Sequence, residues 1–402
     1  MHSANTFDVA IAGAGPAGTS AAIRLALHGA RVLLLEEKKF PRAKLCGEFI
    51  SPECLAHFQQ LGVIDQIIAA GATLLGETVF YSARGYQVAV PSEWFTSGAT
   101  ALGLSRSEMD QRLLERAKAV GVVVLENAHA TGPLLEGDSV CGVNVKTSAG
   151  TSDYRARITI DATGRTRALA RHFDRHHHRS SKRKRGLVAF KAHLENTRVT
   201  PGACEIYFYA SGYGGLSGIE HGLSNLCFIV SASEVRRRGS DPDRVLREVV
   251  MQNSRAAETL REARLRSPWL SVSLEGFGRK TLTPVNGLLT IGDAASFIDP
   301  FTGSGMLMAL ESGEVVAETI VSRPGILRDA QTVELIAEDY ERRYTSRFAS
   351  RLRVSGLLRR AAFVPYLAET AILFFGASTR LRRKLARATR HANQQKARAS
   401  LS

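Results

Sequence analysis

Cys46 and Glu48, two positions apart in the segment KLCGEFIS (44–51), are the candidates for catalysis in this 402-residue chain. A thiol or a carboxylic acid can donate a proton to a reacting group or accept one from it. A free cysteine is also often no more than a small, buried apolar residue. The roles of proton donor, ligand-positioning residue and structural residue therefore stay open for Cys46 until the surrounding elements are considered.

A glycine-rich segment near the N-terminus predicts a nucleotide site. GAGPAG (13–18) follows a short apolar run that is typical of a strand and precedes small residues with helical periodicity. Gly13 permits a tight turn between strand and helix, Gly15 lets backbone N–H groups approach a pyrophosphate, and Gly18 lets the helix pack close to the sheet. Glu36 ends the next strand-like run, where a carboxylate can accept hydrogen bonds from ribose hydroxyls. The spacing predicts a dinucleotide-binding fold.

A second cluster of glycine and acidic residues, GDAASFIDPFTGSGM (292–306), distinguishes between cofactors. Asp293 follows the apolar run LLTI (288–291), at the sheet edge where ligands bind in open α/β folds. A carboxylate there can accept hydrogen bonds from the ribitol hydroxyls of FAD, which NAD lacks. The next run predicts a helix whose N-terminal N–H groups and dipole would stabilise negative charge on a reduced flavin. A capped helix after an ordinary turn is the alternative.

Together with the segment ITIDATGR (158–165), these motifs resemble in order and spacing those of the flavin monooxygenase superfamily that includes the aromatic hydroxylases. The resemblance covers roughly residues 7–330. It implies that Arg106 lies near the phosphates of the flavin. The segments KLCGEFIS and YFYASGYGGLSGIEHGLSNLCF (207–228) are similar to the geranylgeranyl-reductase-like branch, which implies that Cys46 lies beside the flavin ring.

The motifs and the resemblance define a set of expected site residues. Those expected to bind FAD are Gly13, Gly15, Ala17, Gly18, Glu36, Arg106, Asp161, Gly164, Gly292, Asp293, Pro300, Gly303, Ser304, Gly305 and Met306. Tyr213, Gly214 and Gly215 are expected either to line the substrate pocket or to form a turn at a sheet edge. No second GxGxxG stands between a strand and a helix, so NAD(P)H is expected to act as a transient reductant.

The resemblance implies an FAD-dependent oxidoreductase and leaves two reactions open. One is reduction of a C=C bond in an apolar, isoprenoid-like substrate, and the other is hydroxylation of an aromatic or polyketide-like substrate with O2. The branch's signature of the type Tyr-x-Trp-x-Phe-Pro is missing, because residues 207–211 are YFYAS. NAD(P)H or an electron carrier is expected to reduce the flavin. A flavin-holding redox or membrane adaptor without substrate turnover is the alternative to an enzyme.

The motifs are far apart in the chain, so the FAD-binding domain must be assembled from several segments. The expected class is α/β, with a Rossmann-like FAD-binding domain, an antiparallel β-sheet substrate domain and a helical C-terminal tail. The expected boundaries are 1–75, 100–170 and 280–335 for the FAD-binding domain, 76–99 and 171–279 for the substrate domain, and 336–402 for the basic tail. Residues 241–264 predict one solvent-facing helix.

Composition excludes several classes of protein. An apolar content of 44% with 23% charged residues is typical of a globular chain. The five cysteines form no CxxC pair, and no carboxylate pattern surrounds His176–His178, so neither a disulfide framework nor a metal site is predicted. Free thiols and the lack of an apolar signal core predict a cytoplasmic protein.

The net charge of +15 is concentrated in one loop and in the tail. Residues 342–402 contain fifteen Lys and Arg residues and one acid, and residues 171–185 contain seven and one. The rest of the chain is mildly acidic, so nucleic acid is not an expected partner. The apolar segment 361–378 has basic flanks but contains Pro365 and Glu369, which oppose a membrane-spanning helix. A helix that closes the substrate pocket and peripheral binding to an anionic membrane are the two readings, and both can hold.

Overall fold

The computed structural model describes residues 5–96, 98–174, 186–323, 331–362, 369–370, 372, 374 and 378–388. The expectations for the basic loop, including His176–His178, and for most of the segment 361–378 therefore fall outside the described residues. The described part is a mixed α/β structure with two large sheets, two small sheets and helices that cover the first large sheet.

The strands follow one another along the chain, with most helices between those of the first sheet. Their bounds are β1 (Thr6–Ala12), β2 (Val32–Leu35), β3 (Phe49–Ile50), β4 (Thr73–Leu75), β5 (Glu77–Tyr81), β6 (Gln87–Pro91), β7 (Ala101–Gly103), β8 (Val123–Leu125), β9 (His129–Glu136), β10 (Ser139–Thr147), β11 (Gly150–Asp161), β12 (Leu187–Glu195), β13 (Ala203–Tyr209), β14 (Gly212–Gly218), β15 (Ser224–Ser231), β16 (Arg264–Leu265), β17 (Leu270–Leu274), β18 (Gly278–Arg279), β19 (Leu288–Thr290) and β20 (Ser296–Phe297).

The helices vary widely in length, and the two longest of them lie near the C-terminus. Their bounds are α1 (Pro16–Leu27), α2 (Glu53–Leu61), α3 (Ile64–Ala69), α4 (Arg106–Ala119), α5 (Ala232–Arg237), α6 (Pro242–Glu248), α7 (Ser254–Thr259), α8 (Gly305–Val321), α9 (Gln331–Ala362) and α10 (Thr379–Ala388).

The first sheet has the order β8-β2-β1-β11-β10-β9, with β19 paired to β11. Strands β8, β2, β1, β11 and β19 are parallel neighbours, and β9 to β11 form an antiparallel meander at one edge. Both faces of the parallel part are covered, as is usual for parallel sheets. Along β1, Val9 and Ile11 pack towards the helices, whereas Phe7, Ala10 and Ala12 pack on the other face.

The second large sheet has the order β16-β12-β15-β14-β13-β5-β6, with β17 also paired to β12. All its pairings are antiparallel except that of β13 with β5. The alternation of apolar and polar residues in these strands gives the sheet two distinct faces. A parallel sheet flanked by helices beside an antiparallel sheet confirms the predicted α/β class with a Rossmann-like domain.

The single helix predicted over residues 241–264 is wrong, because the chain forms α6 and α7 with a break between them. The break is at Asn253, which is fully buried. Its amide nitrogen donates to carbonyl oxygens of β5, of β13 and of the turn after β5, at 3.0–3.2 Å. Its side-chain oxygen accepts the first N–H groups of α7, each at 3.1 Å. A buried capping residue of this kind ends one helix and starts another.

Helix α9 is attached to the first sheet by an aromatic stripe. Tyr340, Tyr344 and Phe348 are spaced four residues apart and are almost fully buried, which places them on one face of the helix. The Tyr340 hydroxyl also donates to the carbonyl oxygen of Thr290 at 2.7 Å. This face therefore packs against β19 and α8 and fixes the start of the C-terminal region.

Neither a membrane-spanning helix nor a metal-binding cluster is found among the residues described above. No helix among them is both long and apolar enough to cross a membrane. No three His, Cys, Asp or Glu side chains among them stand close enough together to hold a metal ion.

His57 on α2 gives the fold a predicted sensitivity to acid. It is only 7% exposed, and burial lowers the pKa of its imidazole from 6.5 to about 4. The charges that act on it come from Glu311, Arg24, Arg347 and Arg351. Below pH 6.5 the unfolded chain binds a proton that the folded protein refuses, so stability falls as the pH drops towards 4. A shift of this size corresponds to about 3 kcal/mol.

The measurement is urea unfolding at pH 7.5 and pH 4.5 for the parent and for His57→Gln. We expect the parent to lose about 3 kcal/mol more than the variant between these pH values, since the amide does not titrate. His129→Gln is the matched control, because His129 is half exposed and pairs with Glu37 at the surface. Equal losses in the parent and His57→Gln would contradict the assignment.

Candidate active site

The turn after β1 is packed so closely that two of its positions accept only glycine. Gly13 has φ +104°, and a Cβ there would lie 2.4 Å from the carbonyl oxygen of Ala162. A Cβ on Gly18 would lie 1.9 Å from the carbonyl oxygen of Gly13. Both distances are far below van der Waals contact. These two glycines are therefore required for the packing of α1 against the end of β11.

Gly15 is different, because no protein atom explains the missing side chain. The nearest atom to a Cβ on Gly15 would be Nη2 of Arg106, at an ordinary contact distance of 3.8 Å. Gly15 is also the N-cap of α1, where it gives the first N–H groups no side-chain partner. An uncapped helix N-terminus with open space before it is suited to a phosphate group.

Arg106 is held in place beside this turn by a buried carboxylate. Its guanidinium group donates to Asp110 at 2.9 and 2.7 Å. Arg42 reaches the same carboxylate at 3.1 Å and holds Glu36 through two bonds of 3.1 Å. Asp110 is fully buried, so the two arginines are fixed by a common partner. The arrangement fixes the guanidinium group of Arg106 near the N-terminus of α1.

Lys44 adds a further positive charge to the same cleft. Burial, and next the charges of Arg42 and Arg106, lower the pKa of its ammonium group. The side chain is nevertheless exposed to solvent. Protein atoms on several sides together with solvent access are what a residue lining an open cleft should show.

Glu36 lies directly after β2, as the spacing predicts, but its carboxylate already has several donors. The backbone N–H groups of Ala14 and Lys38 each donate to it at 3.2 Å, in addition to the two bonds from Arg42. A ribose hydroxyl would have to replace one of these donors. The role of Glu36 in ribose binding therefore stays a prediction.

Asp161 shapes the loop after β11 from within. The residue is fully buried. Its two oxygens accept hydrogen bonds of 2.6–3.0 Å from four protein donors, which are the N–H and hydroxyl of Thr163 and the N–H groups of Leu169 and Ala170. The role of Asp161 in FAD binding therefore stays a prediction, because the acceptor sites of its carboxylate already have protein donors. Gly164, with φ +72° and no atom near its missing side chain, is the part of this motif with open space.

Asp293 has the unpartnered carboxylate of the cleft. It lies in the loop after β19 and makes no hydrogen bond or ion pair with the part of the chain that the structure describes. Burial raises the pKa of this carboxyl, and the more distant charges of Arg165, Arg106 and Lys44 oppose that effect. A partly exposed acceptor without a donor, facing three cations, fits the hydroxyl groups of a cofactor.

The two glycine motifs touch each other. Gly292 has φ +58°, and a Cβ there would lie 2.9 Å from the Cβ of Ala17. A Cβ on Gly313 of α8 would lie 2.6 Å from the carbonyl oxygen of Ala17. The Gly292 N–H also donates to the hydroxyl of Ser312 at 2.9 Å. Helices α1 and α8 therefore pack backbone against backbone, which brings the N-terminus of α1 and the Asp293 loop to one cleft.

The segment before α8 prepares a second uncapped helix end. Gly303 adopts the left-handed conformation with φ +59°. Ser304 is the N-cap of α8, which starts at Gly305, and makes no side-chain cap bond. Met306 packs in the core, whereas Pro300 is exposed. The first N–H groups of α8 are thus suited to stabilise negative charge.

One face of the second sheet, which we call the inner face, changes from apolar to polar along its strands. Neighbouring residues of an antiparallel pair lie on the same face, and every second residue of a strand shares it. The ladders of β12, β15 and β14 define three rows on this face. They are an apolar row of Ala189, Ile229 and Tyr213, a middle row of Lys191, Cys227 and Gly215, and a polar row of His193, Asn225 and Ser217.

Aromatic rings close the apolar end of the inner face. Phe301, from the segment before α8, lies 5.3 Å from the ring of Tyr213 and 5.7 Å from that of Phe208. The Tyr213 hydroxyl donates to Asp299 at 2.6 Å, and burial and the Asp299 charge raise the pKa of Tyr213 well above its ordinary value. Ile372 from the C-terminal segment is buried in the same cluster.

The three predicted pocket residues do not share one face. Tyr213 and Gly215 lie on the inner face. A Cβ on Gly214 would lie 2.8 Å from the Cβ of Phe228, which packs in the core behind the sheet. Alternation in β14 thus places Gly214 on the face opposite to Tyr213 and Gly215, and the pocket role of the three residues stays a prediction.

Cys46 and Glu48 lie against the middle and polar rows. Cys46 is partly exposed, its sulfur accepts the N–H of Glu48 at 3.4 Å, and its carbonyl oxygen accepts the amide of Asn225 at 3.2 Å. Glu48 is fully buried and has φ +54°, a conformation that non-glycine residues rarely adopt. The structure therefore brings the two catalytic candidates together under the inner face.

The Glu48 carboxylate has three donors from two elements, α4 and β12. The N–H of Arg106 donates at 2.8 Å, Nζ of Lys191 at 2.5 Å, and Nε2 of His193 lies at 2.7 Å. Burial acts to raise the pKa of Glu48, but the hydrogen bond from His193 and the charge of Lys191 outweigh it and lower the pKa. Glu48 is therefore an ionised carboxylate within a buried network.

Sequence reasoning missed Lys191 and His193. They stand two residues apart in the strand LVAFKAHLE of β12, and alternation places both on the inner face. A lysine inside an otherwise apolar strand is the signal that could have found them, since lysine is rarely buried without a partner.

Comparison with known proteins agrees with this geometry. A family model described as FAD binding domain matches residues 6–318. A digeranylgeranylglycerophospholipid reductase of Methanopyrus kandleri is 29% identical over 334 residues, which are 78% of each chain. A menaquinone reductase of Mycobacterium tuberculosis is 29% identical over 354 residues, which are 80% of each chain.

A solved structure shares the fold of almost the whole chain. The geranylgeranyl bacteriochlorophyll reductase-like protein of Thermoplasma acidophilum has a TM-score of 0.79 with 20% identity, covering 99% of this chain and 100% of its own. A sequence identity of 20% supports a shared fold and nothing about a shared activity. The family match spans most of the chain, and the open space at Gly15 and the unpartnered carboxylate of Asp293 fit the cofactor. The predicted resemblance is thus confirmed: the chain belongs to the FAD binding domain family and is an FAD-dependent oxidoreductase.

Proposed function

We propose that this protein reduces C=C bonds of a hydrophobic substrate that contains isoprene units, with NAD(P)H or an electron carrier as the source of electrons. The observation that carries the proposal is the apolar end of the inner face, which leads from the aromatic cluster around Phe301 to the Cys46 loop. Isoprene chains consist of methyl-branched alkenes, and an aromatic and aliphatic lining accommodates them without unpaired polar groups.

The two similar reductases support this substrate class. Their names specify a digeranylgeranylglycerophospholipid and a menaquinone as substrates, and both compounds combine a polar head with isoprene units. The inner face has a matching gradient, from the apolar row to the polar row of His193, Asn225 and Ser217. We infer that the isoprene chain lies along the apolar row.

We propose a division of labour among the segments that form the cleft. Segments 1–75, 100–170 and 280–335 would bind FAD, and 76–99 with 171–279 would bind the substrate. The α1 N-terminus and Arg106 would hold the pyrophosphate, and Asp293 would accept hydrogen bonds from hydroxyl groups of the cofactor. When bound, FAD supplies the hydride for the reduction.

The protein's own residues must then exclude water and supply a proton. Tyr213, Phe208 and Phe301 close the apolar end of the cleft, and a dry site prevents side reactions. Cys46 holds a proton on a sulfur that the Glu48 N–H orients. We propose that Cys46 donates this proton to one alkene carbon while the other carbon receives the hydride.

The test is an anaerobic incubation of the purified FAD protein, reduced with dithionite, with a menaquinone that has four isoprene units and separately with a digeranylgeranyl phospholipid. We expect products heavier by 2 Da for each double bond reduced, measured by mass spectrometry after air has reoxidised the quinol, because reduction of the quinone ring alone also adds 2 Da. NADH and NADPH would replace dithionite in parallel samples to identify the donor. Cys46→Ser should keep its FAD but form product at least tenfold more slowly, since general acid catalysis contributes about 10²–10⁴-fold.

Two other outcomes of this test would contradict C=C reduction. Products heavier by 16 Da that form only when O2 is admitted would replace the proposal by hydroxylation. Oxidation of NAD(P)H without a change in either substrate would favour a redox adaptor and contradict C=C reduction.

The cofactor assignment predicts opposite behaviour for two neighbouring glycines. Gly15→Val should abolish FAD retention with little change in folding, because no protein atom lies closer than 3.8 Å to the new Cβ. Gly18→Val should destabilise the fold itself, because its Cβ would overlap a backbone oxygen at 1.9 Å. Asp293→Asn should weaken FAD binding about tenfold or more, as expected for a lost charged hydrogen bond of about 1.5–3 kcal/mol.

Flavin absorbance after gel filtration and thermal unfolding in the absence of FAD measure the two effects separately. Full flavin content in both Gly15→Val and Asp293→Asn would contradict the assignment of the cleft.

We further propose that the basic tail binds an anionic membrane surface, where such substrates collect. Ile372 is buried in the aromatic cluster, whereas Phe374 is 62% exposed. Arg382 donates to the carbonyl oxygen of Ala89 at 3.1 Å and thereby attaches α10 to β6. The tail therefore contacts the substrate sheet on one side and presents an apolar side chain on another.

Three exposed cations of α10, which are Arg380, Arg383 and Lys384, permit a clean test. Replacing all three with Gln should remove about 3 kcal/mol of attraction to an anionic bilayer, at about 1 kcal/mol for each charge. The affinity for anionic vesicles at low salt, measured by co-sedimentation, should fall about a hundredfold. The reduction of detergent-solubilised substrate should stay unchanged. Truncation before residue 361 is the contrasting variant, which should also lose activity because Ile372 is removed. If the parent stays in the supernatant with anionic vesicles at low salt, the membrane proposal fails.

A further inference from the structure

We propose that His193, Glu48 and Lys191 form a proton-supply network that returns to Cys46 the proton it gives up in each reduction. This inference rests on the proposed function, because C=C reduction consumes one proton for every hydride. It assigns a role to two residues of the substrate sheet, Lys191 and His193, and a proton-transfer role to the Glu48 carboxylate.

The three side chains form a continuous network, and their exposure to solvent decreases from His193 to Glu48. The side chain of His193 is 16% exposed, that of Lys191 is 2% exposed and that of Glu48 is not exposed. The carboxylate joins Nε2 of His193 at 2.7 Å to Nζ of Lys191 at 2.5 Å. His193 is thus the member of the network through which protons exchange with solvent.

The inner end of the network lies against the Cys46 loop. Nζ of Lys191 donates to the carbonyl oxygen of Lys44 at 3.4 Å, and Asn225 donates to the carbonyl oxygen of Cys46. Cys227 is the ladder partner of Lys191, and the charges of Cys46, Lys191 and Glu48 all act on the pKa of its thiol. Lys191 and Cys46 are therefore both close to Cys227.

The burial of this ionic network and the strained backbone of Glu48 cost more free energy than a purely structural contact would justify. A buried ionic network is often no more stabilising than apolar residues of the same volume. Glu48 also has a strained left-handed backbone with φ +54°, and such strain is concentrated at functional sites. A fold that needed only to join the two sheets could do so with apolar side chains, as it does around Phe301.

The proton balance closes with named groups. Cys46 gives its proton to the alkene carbon and becomes a thiolate, which the Glu48 N–H stabilises. Lys191, whose Nζ reaches the carbonyl oxygen of Lys44 in the same loop, then gives a proton to the thiolate through a water molecule and regains one through the Glu48 carboxylate from His193. His193 takes its proton from water. The net change is one hydride from the reduced cofactor and one proton from solvent for each double bond.

Other charged groups face the network and must be considered in any pH profile. They are Lys44 and Cys46 from the loop itself, Arg106 and Asp110 from α4, Cys227 from β15 and Asp293 from the loop after β19. Among these side chains and the three network residues, His193 alone is an imidazole.

The first experiment measures the pH dependence of a single turnover. The parent and His193→Gln, both with FAD bound and reduced by dithionite, are mixed with the digeranylgeranyl phospholipid between pH 5.5 and 9, because this probe has no quinone ring that would accept electrons. The amide keeps a donor towards Glu48 but cannot carry a proton. We expect the rate constant to fall about tenfold and the part of the pH dependence that the imidazole causes to disappear. His129→Gln, the surface control, should retain the parent profile.

The second experiment does not depend on the proposed function. The rate at which iodoacetamide alkylates Cys46 is followed by peptide mass spectrometry over the same pH range. A protonated network favours the thiolate, so the parent should show an extra inflection that His193→Gln and Lys191→Met lack. Flavin content and melting temperature verify that each variant is folded.

The two readouts separate the failure of each idea. If neither substrate is reduced but the alkylation profiles differ as stated, the proposed function fails and the coupling of the network to Cys46 stands. If the parent and His193→Gln have the same alkylation profile and the same turnover profile, the proton-supply network is overturned.

Discussion

The buried carboxylate of Glu48 is the interaction on which the assembly of the site depends. An ionised carboxylate away from water is expensive unless donors surround it. Here one donor comes from the first turn of α4, on the cofactor side, and two come from β12, on the substrate side. The charge is therefore tolerable only when both sheets are docked. Removing one partner would leave a buried charge, at a typical cost of about 3–5 kcal/mol.

A second polar contact fixes the opposite end of the cleft. Tyr213 donates to Asp299 at 2.6 Å, and its raised pKa keeps the hydroxyl protonated as a donor. Between this contact and Glu48 the surfaces are mainly apolar, and Leu45 and the ring of Phe301 pack against the inner face of the second sheet. Polar contacts at the two ends thus set the geometry of the cleft, while the apolar lining between them sets which substrate it prefers.

The sequence predicted the class of fold and the cofactor because those signals are local. The spacing of Gly13 and Gly18 encodes a turn whose packing the structure explains atom by atom. The network around Glu48 could not be predicted, since Lys191 is 143 positions away in the chain. Alternation places Lys191 and His193 on one face of β12 but does not say what that face meets. The break at Asn253 escaped for the same reason, because its partners lie in β5 and β13 and in the turn after β5.

The second glycine cluster has a steric explanation as well as a chemical one. Gly292 and Gly313 approach Ala17 so closely that side chains at either position would separate α1 from α8. That approach brings the Asp293 carboxylate and the uncapped start of α8 to the cleft that begins at Gly15. A long cofactor such as FAD needs phosphate donors at one place and hydroxyl acceptors at another. Because Gly292 and Gly313 pack on Ala17, the phosphate donors and the hydroxyl acceptor lie in the same cleft. Residues nearly 280 positions apart thus form a single binding site.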